Sequence, residues 1–170
     1  RQDYENLAAT VPSIVQAVED GFELSEATHT PVMLQLRIRA CHVHGRFIAK
    51  DNRRPAFSID EALAAPKRDV DRIVLPPASF LHEREKIEQR WPAAQKFIEE
   101  RGLNEFYADH AADVGIIVQG GLYNSLLRAM ERLGLADVYG RSKLPLYVMN
   151  VAYPLVDAEL VRFCAGKRAV

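Results

Sequence analysis

The sequence predicts an α/β protein in which helices cover both faces of a parallel sheet. The first observation is a strand, a pair of glycines and a helix that follow one another over residues 113–133. The second is another apolar strand at residues 146–151, which also leads into a helix. Strands that alternate with helices are joined by right-handed crossovers, and such crossovers make the sheet parallel. We therefore expect a three-layer α/β/α arrangement in the second half of the chain.

The first predicted element is an amphipathic helix that begins near Thr10 and Pro12, because Thr can cap a helix and Pro is tolerated in its first turn. Apolar residues at Ile14, Val15, Val18 and Phe22 then follow one face. Residues 32–41, VMLQLRIRAC, place Val and Leu on one side and polar residues on the other. This alternation predicts a strand.

Residues 42–79 show weak periodicity and contain several prolines. A loop of this length is unusual inside one compact domain. The sequence therefore predicts two domains, residues 1–50 and 80–170, joined by a connection at 51–79. Within the connection we expect a short helix at Ile59–Ala65 and a short extended piece at Val70–Leu75.

Residues 80–101 have the pattern of a helix, which Pro92 should kink and Gly102 should end. The next strand is the β-branched run at residues 114–118, and the helix after Gly120-Gly121 should bury one face and end at Gly134. Its expected face consists of Tyr123, Leu126, Leu127, Met130 and Leu133.

The last predicted helix follows the strand at residues 146–151. Asp157 is in a position to cap it, and Leu160, Val161 and Cys164 should form its apolar side. A further strand is expected to begin near Ala169.

Composition narrows the possible functions. The chain has 170 residues, is 48% hydrophobic and carries a formal net charge of -1, which argues against a nucleic-acid or membrane surface as the main partner. No apolar run approaches the roughly 20 residues of a membrane span. The two cysteines, Cys41 and Cys164, lack the spacing of a metal, cluster or disulfide motif, so we expect a reducing, cytoplasmic location.

The ends suggest a piece of a longer polypeptide. The chain begins at Arg1 without an initiator Met, and it stops at Val170, just after the expected start of a strand. If the chain is a piece of a longer protein, we expect residues that carry out its reaction to lie outside these 170 residues.

Gly120 and Gly121 are candidates for anion binding. They lie between a strand and a helix, where backbone N–H groups attract anions. The Gly-x-Gly-x-x-Gly fingerprint is absent, however, and tight turns use glycine for geometry alone. Geometry is therefore the favoured explanation.

Arg37, Arg39 and His42 are candidates for substrate binding because, with His44 and Arg46, they form the densest cationic group of the chain. Arginine can hold a carboxylate in a bidentate manner and histidine can transfer a proton. The alternative is a structural salt-bridge cluster, with acidic partners such as Asp51 or Asp60.

The remaining polar residues carry simpler interpretations. We expect Cys41 to be a small buried residue rather than a nucleophile. His42 and His44 lack an evident third ligand, so no metal site is predicted. Asp109 and His110 are expected in a loop, Trp91 as a core or interface anchor, and Asn150 near the sheet edge or in a domain contact.

Several of these segments together resemble the alpha subunit of indolepyruvate:ferredoxin oxidoreductase and related 2-oxoacid oxidoreductases. In the first half the resemblance rests on Phe22 to Glu26, Thr30-Pro31-Val32, and Arg39, His42 and Gly45. In the second half it rests on DVGIIVQGGLYNSLLRAMERLGL and LYVMNVAYPLVDAELVRFCAGKRAV. Tyr153-Pro154-Leu155 is its most specific element.

The resemblance implies a fold and a function. Residues 1–50 would be the end of a pyrimidine-type thiamine-binding domain, and residues 80–170 a truncated transketolase C-terminal-like, flavodoxin-like domain. The parent would decarboxylate arylpyruvates oxidatively to acyl-coenzyme A. Thiamine diphosphate, magnesium, 4Fe-4S clusters and coenzyme A would serve as cofactors, ferredoxin would accept electrons, and other domains or subunits would be partners, with a homodimer possible.

The motifs that hold these cofactors in the family are absent from this sequence. We therefore expect no cofactor and no catalytic residue within the chain, and no activity from the chain alone. Two alternatives stay open: another thiamine enzyme, such as a transketolase or a 2-oxoacid dehydrogenase beta chain, and a non-enzymatic flavodoxin-like binding module.

Overall fold

A computed structural model of the chain describes residues 11–36, 38–42, 44–52, 58–66, 72–108 and 110–170. The α-helices are α1 (Val11–Thr28), α2 (Ile59–Ala64), α3 (Ala78–Glu85), α4 (Trp91–Arg101), α5 (Tyr123–Arg132) and α6 (Asp157–Cys164). The strands are β1 (Glu105–Tyr107), β2 (Ile116–Gln119) and β3 (Leu146–Met149). From β2 onward, strands and helices alternate, as the α/β prediction requires. None of the described helices is long and apolar enough to cross a membrane.

The sheet has three strands in the order β1-β3-β2. The pairing of β2 with β3 is parallel, with Ile116 opposite Leu146, as predicted. The pairing of β1 with β3 is antiparallel, so the prediction of a wholly parallel sheet was wrong. The three residues of β1 follow α4 after a short turn, and so brief a segment leaves no detectable period in the sequence. A parallel bridge between Val114 and Ala169 marks the further strand expected there.

Helices lie on both faces of the sheet. Successive side chains of a strand point to opposite faces, and in β3 Leu146 and Val148 pack with Tyr123 and Met130 of α5. Tyr147, between them, points to the other face, where its ring lies 5.7 Å from that of Phe163 in α6. The core therefore has two layers, one on each side of β3.

The predicted strand at residues 32–41 is wrong. Among the described residues of this stretch, 32–36 have no regular structure, and the remainder belongs to a short 3-10 helix, Ile38–His42. A strand is stabilised by pairing with a neighbour, and no described segment pairs with this one. Its apolar side chains are exposed instead, Met33 to 81% and Ile38 to 80%.

The helix predicted at residues 80–101 is present but divided. A π-helical segment, Lys86–Arg90, separates α3 from α4 just before Pro92, which lies in the first turn of α4. Proline cannot donate the backbone hydrogen bond that would close the preceding α-helical turn, so the register changes there. Gly102 ends α4 in the left-handed conformation, as predicted.

Four predictions about local structure have mixed outcomes. The short helix near Ile59 is confirmed as α2, where Ser58 and Glu61 form a capping box. The end of α5 is followed by Gly134 with a positive φ of 69°, as predicted, although Leu133 is 73% exposed rather than on the buried face. Of the extended piece predicted at 70–75, residues 70 and 71 lie outside the described residues and the remainder is not a strand.

Asp157 does not cap α6. The cap position belongs to Val156, and Asp157 is the first residue of the helix. The buried side of α6 is formed by Glu159 and Phe163. Of the three residues predicted to form its apolar side, Leu160 is half-buried and Val161 and Cys164 are exposed, so that prediction was wrong for two of the three. Val156 and Phe163 are both buried and lie seven residues apart, on one face of the helix. Glu159 lies between them on the same face and is therefore buried as well.

The two halves of the chain meet where α1 packs on α4. Leu24 and Thr28 are buried in α1, and Ala94 and Ile98 are buried in α4. Arg101 of α4 forms an ion pair with Glu23 of α1, and the Nη1 atom of Arg90 donates to the His29 carbonyl at 3.4 Å. The division into residues 1–50, 51–79 and 80–170 stays a prediction.

Candidate functional site

The carboxyl ends of β2 and β3 lie side by side and form the candidate site. Ligands of open α/β sheets bind at this edge. Here β2 ends at Gln119 and leads into Gly120, and β3 ends at Met149 and leads into Asn150. We refer to this region as the carboxyl edge.

Gly120 permits the close approach of the Asn150 side chain. A Cβ atom at position 120 would lie 2.2 Å from the Oδ1 atom of Asn150. Gly120 begins a 3-10 turn, Gly120–Leu122, which leads directly into α5. The structure thus supplies the geometric reason for one of the two glycines, and anion binding by Gly120 and Gly121 stays a prediction.

The side-chain amide of Asn150 connects this edge to β1. Its Nδ2 atom donates to the Leu103 carbonyl at 2.9 Å and to Oε2 of Glu105 at 3.0 Å. Both amide protons are therefore directed toward the start of β1, while the amide oxygen lies against Gly120. Asn150 therefore follows the central strand of the sheet rather than an edge strand.

A buried polar cluster, consisting of Asn104, Tyr147 and Glu159, lies beneath the carboxyl edge. The Tyr147 hydroxyl donates to Glu159 Oε2 at 2.7 Å, and the Asn104 Nδ2 atom donates to the same oxygen at 2.8 Å. Asn104 Nδ2 also lies 3.1 Å from the Tyr147 hydroxyl oxygen. The three residues are 5%, 1% and 4% exposed, so each polar group depends on the others for hydrogen bonding.

Burial raises the pKa of the Tyr147 phenol well above its usual range, and the hydrogen bond to Glu159 and its negative charge raise that pKa further. The opposing contributions of Asn104 and Arg162 are smaller. Arg162 lies over the ring of Phe106, with its guanidinium carbon 4.2 Å from the ring centre. Tyr147 is thus a hydrogen-bond donor held in the neutral form, and the cluster is inaccessible to a ligand.

The loop after β3, residues 152–155, contains Tyr153-Pro154-Leu155. The ring of Tyr153 makes an edge-to-face contact with Trp91, at 4.9 Å between ring centres. The Nε2 atom of Gln95 donates to the Leu155 carbonyl at 2.7 Å. Helix α4 thereby holds the loop, and Tyr153 is still 71% exposed. Trp91 is a half-buried contact residue, as expected of an interface anchor.

Substrate binding by Arg37, Arg39 and His42 stays a prediction. Arg37 lies outside the described residues, as does the side chain of Arg39, and His42 and His44 are exposed. Cys41 is exposed too, so its predicted burial was wrong, because the segment that carries it does not enter a sheet.

Within the described ranges, no three His, Cys, Asp or Glu side chains lie close enough together to hold a metal ion. Asp109 is outside these ranges, and His110 follows a local turn with its N–H bonded to the Ala108 carbonyl.

Sequence reasoning missed Asn104 and Glu159. Asn104 follows a helix end, where asparagine is common and carries no special signal. Glu159 did leave a signal, because it shares a helical face with Val156 and Phe163 once α6 is started at Asp157. A carboxylate on an apolar face indicates a buried, hydrogen-bonded group.

Comparison with known sequences finds relatives among oxidoreductase subunits. The chain is 25% identical over 158 residues to the indolepyruvate oxidoreductase subunit IorA of Methanothermobacter marburgensis. It is 24% identical over 159 residues to the subunit of the same name from Methanothermobacter thermautotrophicus. The alignments cover 92% of this chain and 24% of each relative, so the chain spans about a quarter of their length. The resemblance indicated by the sequence motifs is therefore confirmed.

No protein-family model matches the chain, and no solved structure shows a significant match.

Proposed function

We propose that this chain is a segment of an indolepyruvate:ferredoxin oxidoreductase of the 2-oxoacid oxidoreductase family. The whole enzyme would convert an arylpyruvate, coenzyme A and two oxidised ferredoxins into acyl-coenzyme A, carbon dioxide, two reduced ferredoxins and a proton. The observation that carries this proposal is the similarity to two IorA subunits over 92% of the chain.

The fold supports this proposal at the motif that is most specific to the resemblance. Tyr153-Pro154-Leu155 follows the carboxyl end of β3 after three residues and contacts α4 through Tyr153 and Leu155. The carboxyl edge is where α/β proteins bind ligands. We assign the second half to a transketolase C-terminal-like domain on this basis, and we propose that its carboxyl edge forms one wall of the substrate or coenzyme A channel.

The chain itself would act as a scaffold rather than a catalyst. Its described residues do not fit a site for thiamine diphosphate and magnesium, because no metal-binding group of side chains occurs among them and the Glu159 carboxylate is enclosed in the core. Thiamine diphosphate, magnesium, the 4Fe-4S clusters and ferredoxin would therefore be bound by other parts of the enzyme. No catalytic step is assigned to this chain.

Exposed apolar side chains support a role inside a larger assembly. Ile48 is 97% exposed, Val74 88%, Met33 81% and Phe22 71%. Residues of this type are usually covered in a folded protein, and we propose that other domains or subunits of the enzyme, including a second copy in a homodimer, cover them.

The proposal is tested by an assay of the longer polypeptide together with its partner subunit. We expect reduction of ferredoxin, or of a viologen dye, that depends on both indolepyruvate and coenzyme A. Phenylpyruvate should also react, whereas pyruvate and 2-oxoglutarate should react poorly. The isolated 170-residue chain should show neither turnover nor tight binding of thiamine diphosphate by calorimetry. Turnover by the isolated chain, or a lack of turnover with every arylpyruvate by the complete enzyme, would contradict the proposal.

A further inference from the structure

The backbone pairing between β1 and β3 stops just before the carboxyl edge. Glu105 is the first residue of β1 in the register, and it lies opposite Val148. Beyond this pair, two asparagine side chains continue the connection. Asn150 donates from Nδ2 to the Leu103 carbonyl at 2.9 Å, and Asn104 accepts from the Val151 N–H at 2.9 Å through Oδ1. Each asparagine thus binds the backbone of the other segment, and we call the pair the asparagine clamp.

The buried cluster fixes the orientation of one half of the clamp. The Nδ2 atom of Asn104 faces the Glu159 carboxylate, which can only accept, and this leaves Oδ1 for the Val151 N–H. A reversed amide would set two oxygens against each other and two N–H donors against each other. The buried carboxylate of Glu159 therefore determines which group Asn104 presents to the chain after β3.

The other half of the clamp lies on the surface. The amide of Asn150 bonds Leu103 and Glu105, and its oxygen lies against Gly120. The ends of β2 and β3 and the start of β1 are thereby held together at one point.

We infer that Asn104 and Asn150 are positioning residues, which fix the path of the chain where it leaves β3 and so place the exposed ring of Tyr153 at the carboxyl edge. Val151 is held by Asn104 on one side of the loop, and Leu155 is held by Gln95 on the other. Between these two points Tyr153 rests against Trp91. A loop restrained at both ends presents Tyr153 in a single position, which is what a preorganised binding wall requires.

The structural part of this inference can be measured on the 170-residue chain without substrate. Trp91 is its only tryptophan, so the fluorescence of the chain reports on the contact with Tyr153. In Asn104→Ala the Val151 amide proton should exchange about tenfold faster relative to that of Val148, as loss of one hydrogen bond implies. Quenching of Trp91 by iodide should increase by roughly twofold as the loop loosens.

Two variants serve as matched controls. Tyr147→Phe removes the hydroxyl that donates to Glu159 and accepts from Asn104 Nδ2. It keeps the bonds from Asn104 to Glu159 and from the Val151 N–H to Asn104, so it should lower stability and leave both signals unchanged. Asn124→Ala removes an exposed asparagine of α5 and should change nothing. If Asn104→Ala does not fold, Asn150→Ala at the exposed position should still raise Trp91 quenching. The inference is overturned if the clamp variants match the wild type, or if Tyr147→Phe shifts both signals equally.

The functional part rests on the proposed function. In the complete enzyme, Asn150→Ala should raise the KM for the arylpyruvate or for coenzyme A about fivefold and change kcat less than about twofold, because the loop would position rather than react. An unchanged KM in an active enzyme would overturn the positioning role. If the spectroscopic changes occur but the complete enzyme turns over no arylpyruvate, the proposed function fails and the clamp stands.

Discussion

At the scale of single residues, the buried phenol of Tyr147 gives the protein a defined response to alkaline pH. Its pKa is raised in the folded state, whereas an unfolded tyrosine ionises near pH 10. Above about pH 10 the unfolded chain releases this proton and the folded chain keeps it, so unfolding becomes easier. The stabilising contribution of Tyr147 is complete below about pH 10 and is lost as the pH rises toward the folded-state pKa.

We therefore predict that Tyr147→Phe flattens the alkaline loss of stability. Above about pH 10 the wild type should lose roughly 1.4 kcal/mol per pH unit more than the variant, equivalent to one proton. Urea unfolding between about pH 8.5 and 11 measures this difference. Tyr139→Phe, at a tyrosine that is 69% exposed, is the matched control and should keep the wild-type slope. A difference between Tyr147→Phe and wild type that does not vary with pH would refute the prediction.

The residue scale also shows the limit of motif reading. Gly120 and Gly121 are candidates for anion binding on sequence grounds. In the structure, the side-chain amide of Asn150 lies against Gly120 and leaves little room for a side chain there. The sequence separates these residues widely, so no local pattern could have revealed the contact.

At the scale of elements, Gly102 connects the end of α4 to the clamp. Its φ of 59° is left-handed, and its N–H bonds the carbonyls of Glu99 and Ile98. The Leu103 N–H bonds the Ile98 carbonyl at 3.1 Å, which turns the chain toward Asn104. The C-terminal end of one helix thus sets the approach of the chain to the buried cluster.

We predict that Gly102→Ala lowers the free energy of unfolding by about 1 kcal/mol. A Cβ at this position would meet no atom within 4 Å, so the cost would come from backbone conformation alone. Gly102→Asn is the control and should cost less, because asparagine tolerates the left-handed region. Urea unfolding of the three proteins gives the order. Equal stability of the alanine and glycine forms would show that this turn has another conformation in solution.

At the scale of the whole molecule, the packing of α1 on α4 holds the first half to the α/β unit. The ion pair between Glu23 and Arg101 is half exposed and contributes at most about 1 kcal/mol. The larger contribution comes from buried apolar residues, among which Ile98 is 0% exposed.

We predict that Ile98→Ala costs about 2–5 kcal/mol, because it removes buried atoms and leaves a cavity. Ile87→Ala is the matched control from the same helical region. Ile87 is 58% exposed, and its truncation should change stability by no more than about 0.5 kcal/mol. Urea unfolding followed by circular dichroism measures both. A large loss for Ile87→Ala would mean that this side chain is covered in solution, for example by a second copy of the chain.

The sequence by itself determined the elements whose residues interact locally. The sequence predicted α1, α5 and the helix before Gly102 as helices, and motifs within short stretches gave the resemblance to indolepyruvate oxidoreductase subunits. The parallel pairing of β2 with β3 followed from the rule for crossover connections. The buried face predicted for α1 was wrong, because Val18 and Phe22 are exposed and Leu24 and Thr28 are buried instead. The same local reasoning failed for residues 32–41, because a strand exists only where another strand pairs with it.

Only the tertiary structure decided what lies at the carboxyl edge. It brought Asn104 to Tyr147 and Glu159, and Asn150 to Gly120, across gaps of 30 to 55 positions in the chain. It also showed that Glu159 lies on the buried face of α6. The sequence had predicted a different buried face, together with a cap at Asp157. Hydrogen bonds between buried polar groups depend on distance and orientation in space, and neither is encoded in the local pattern of hydrophobic and polar residues.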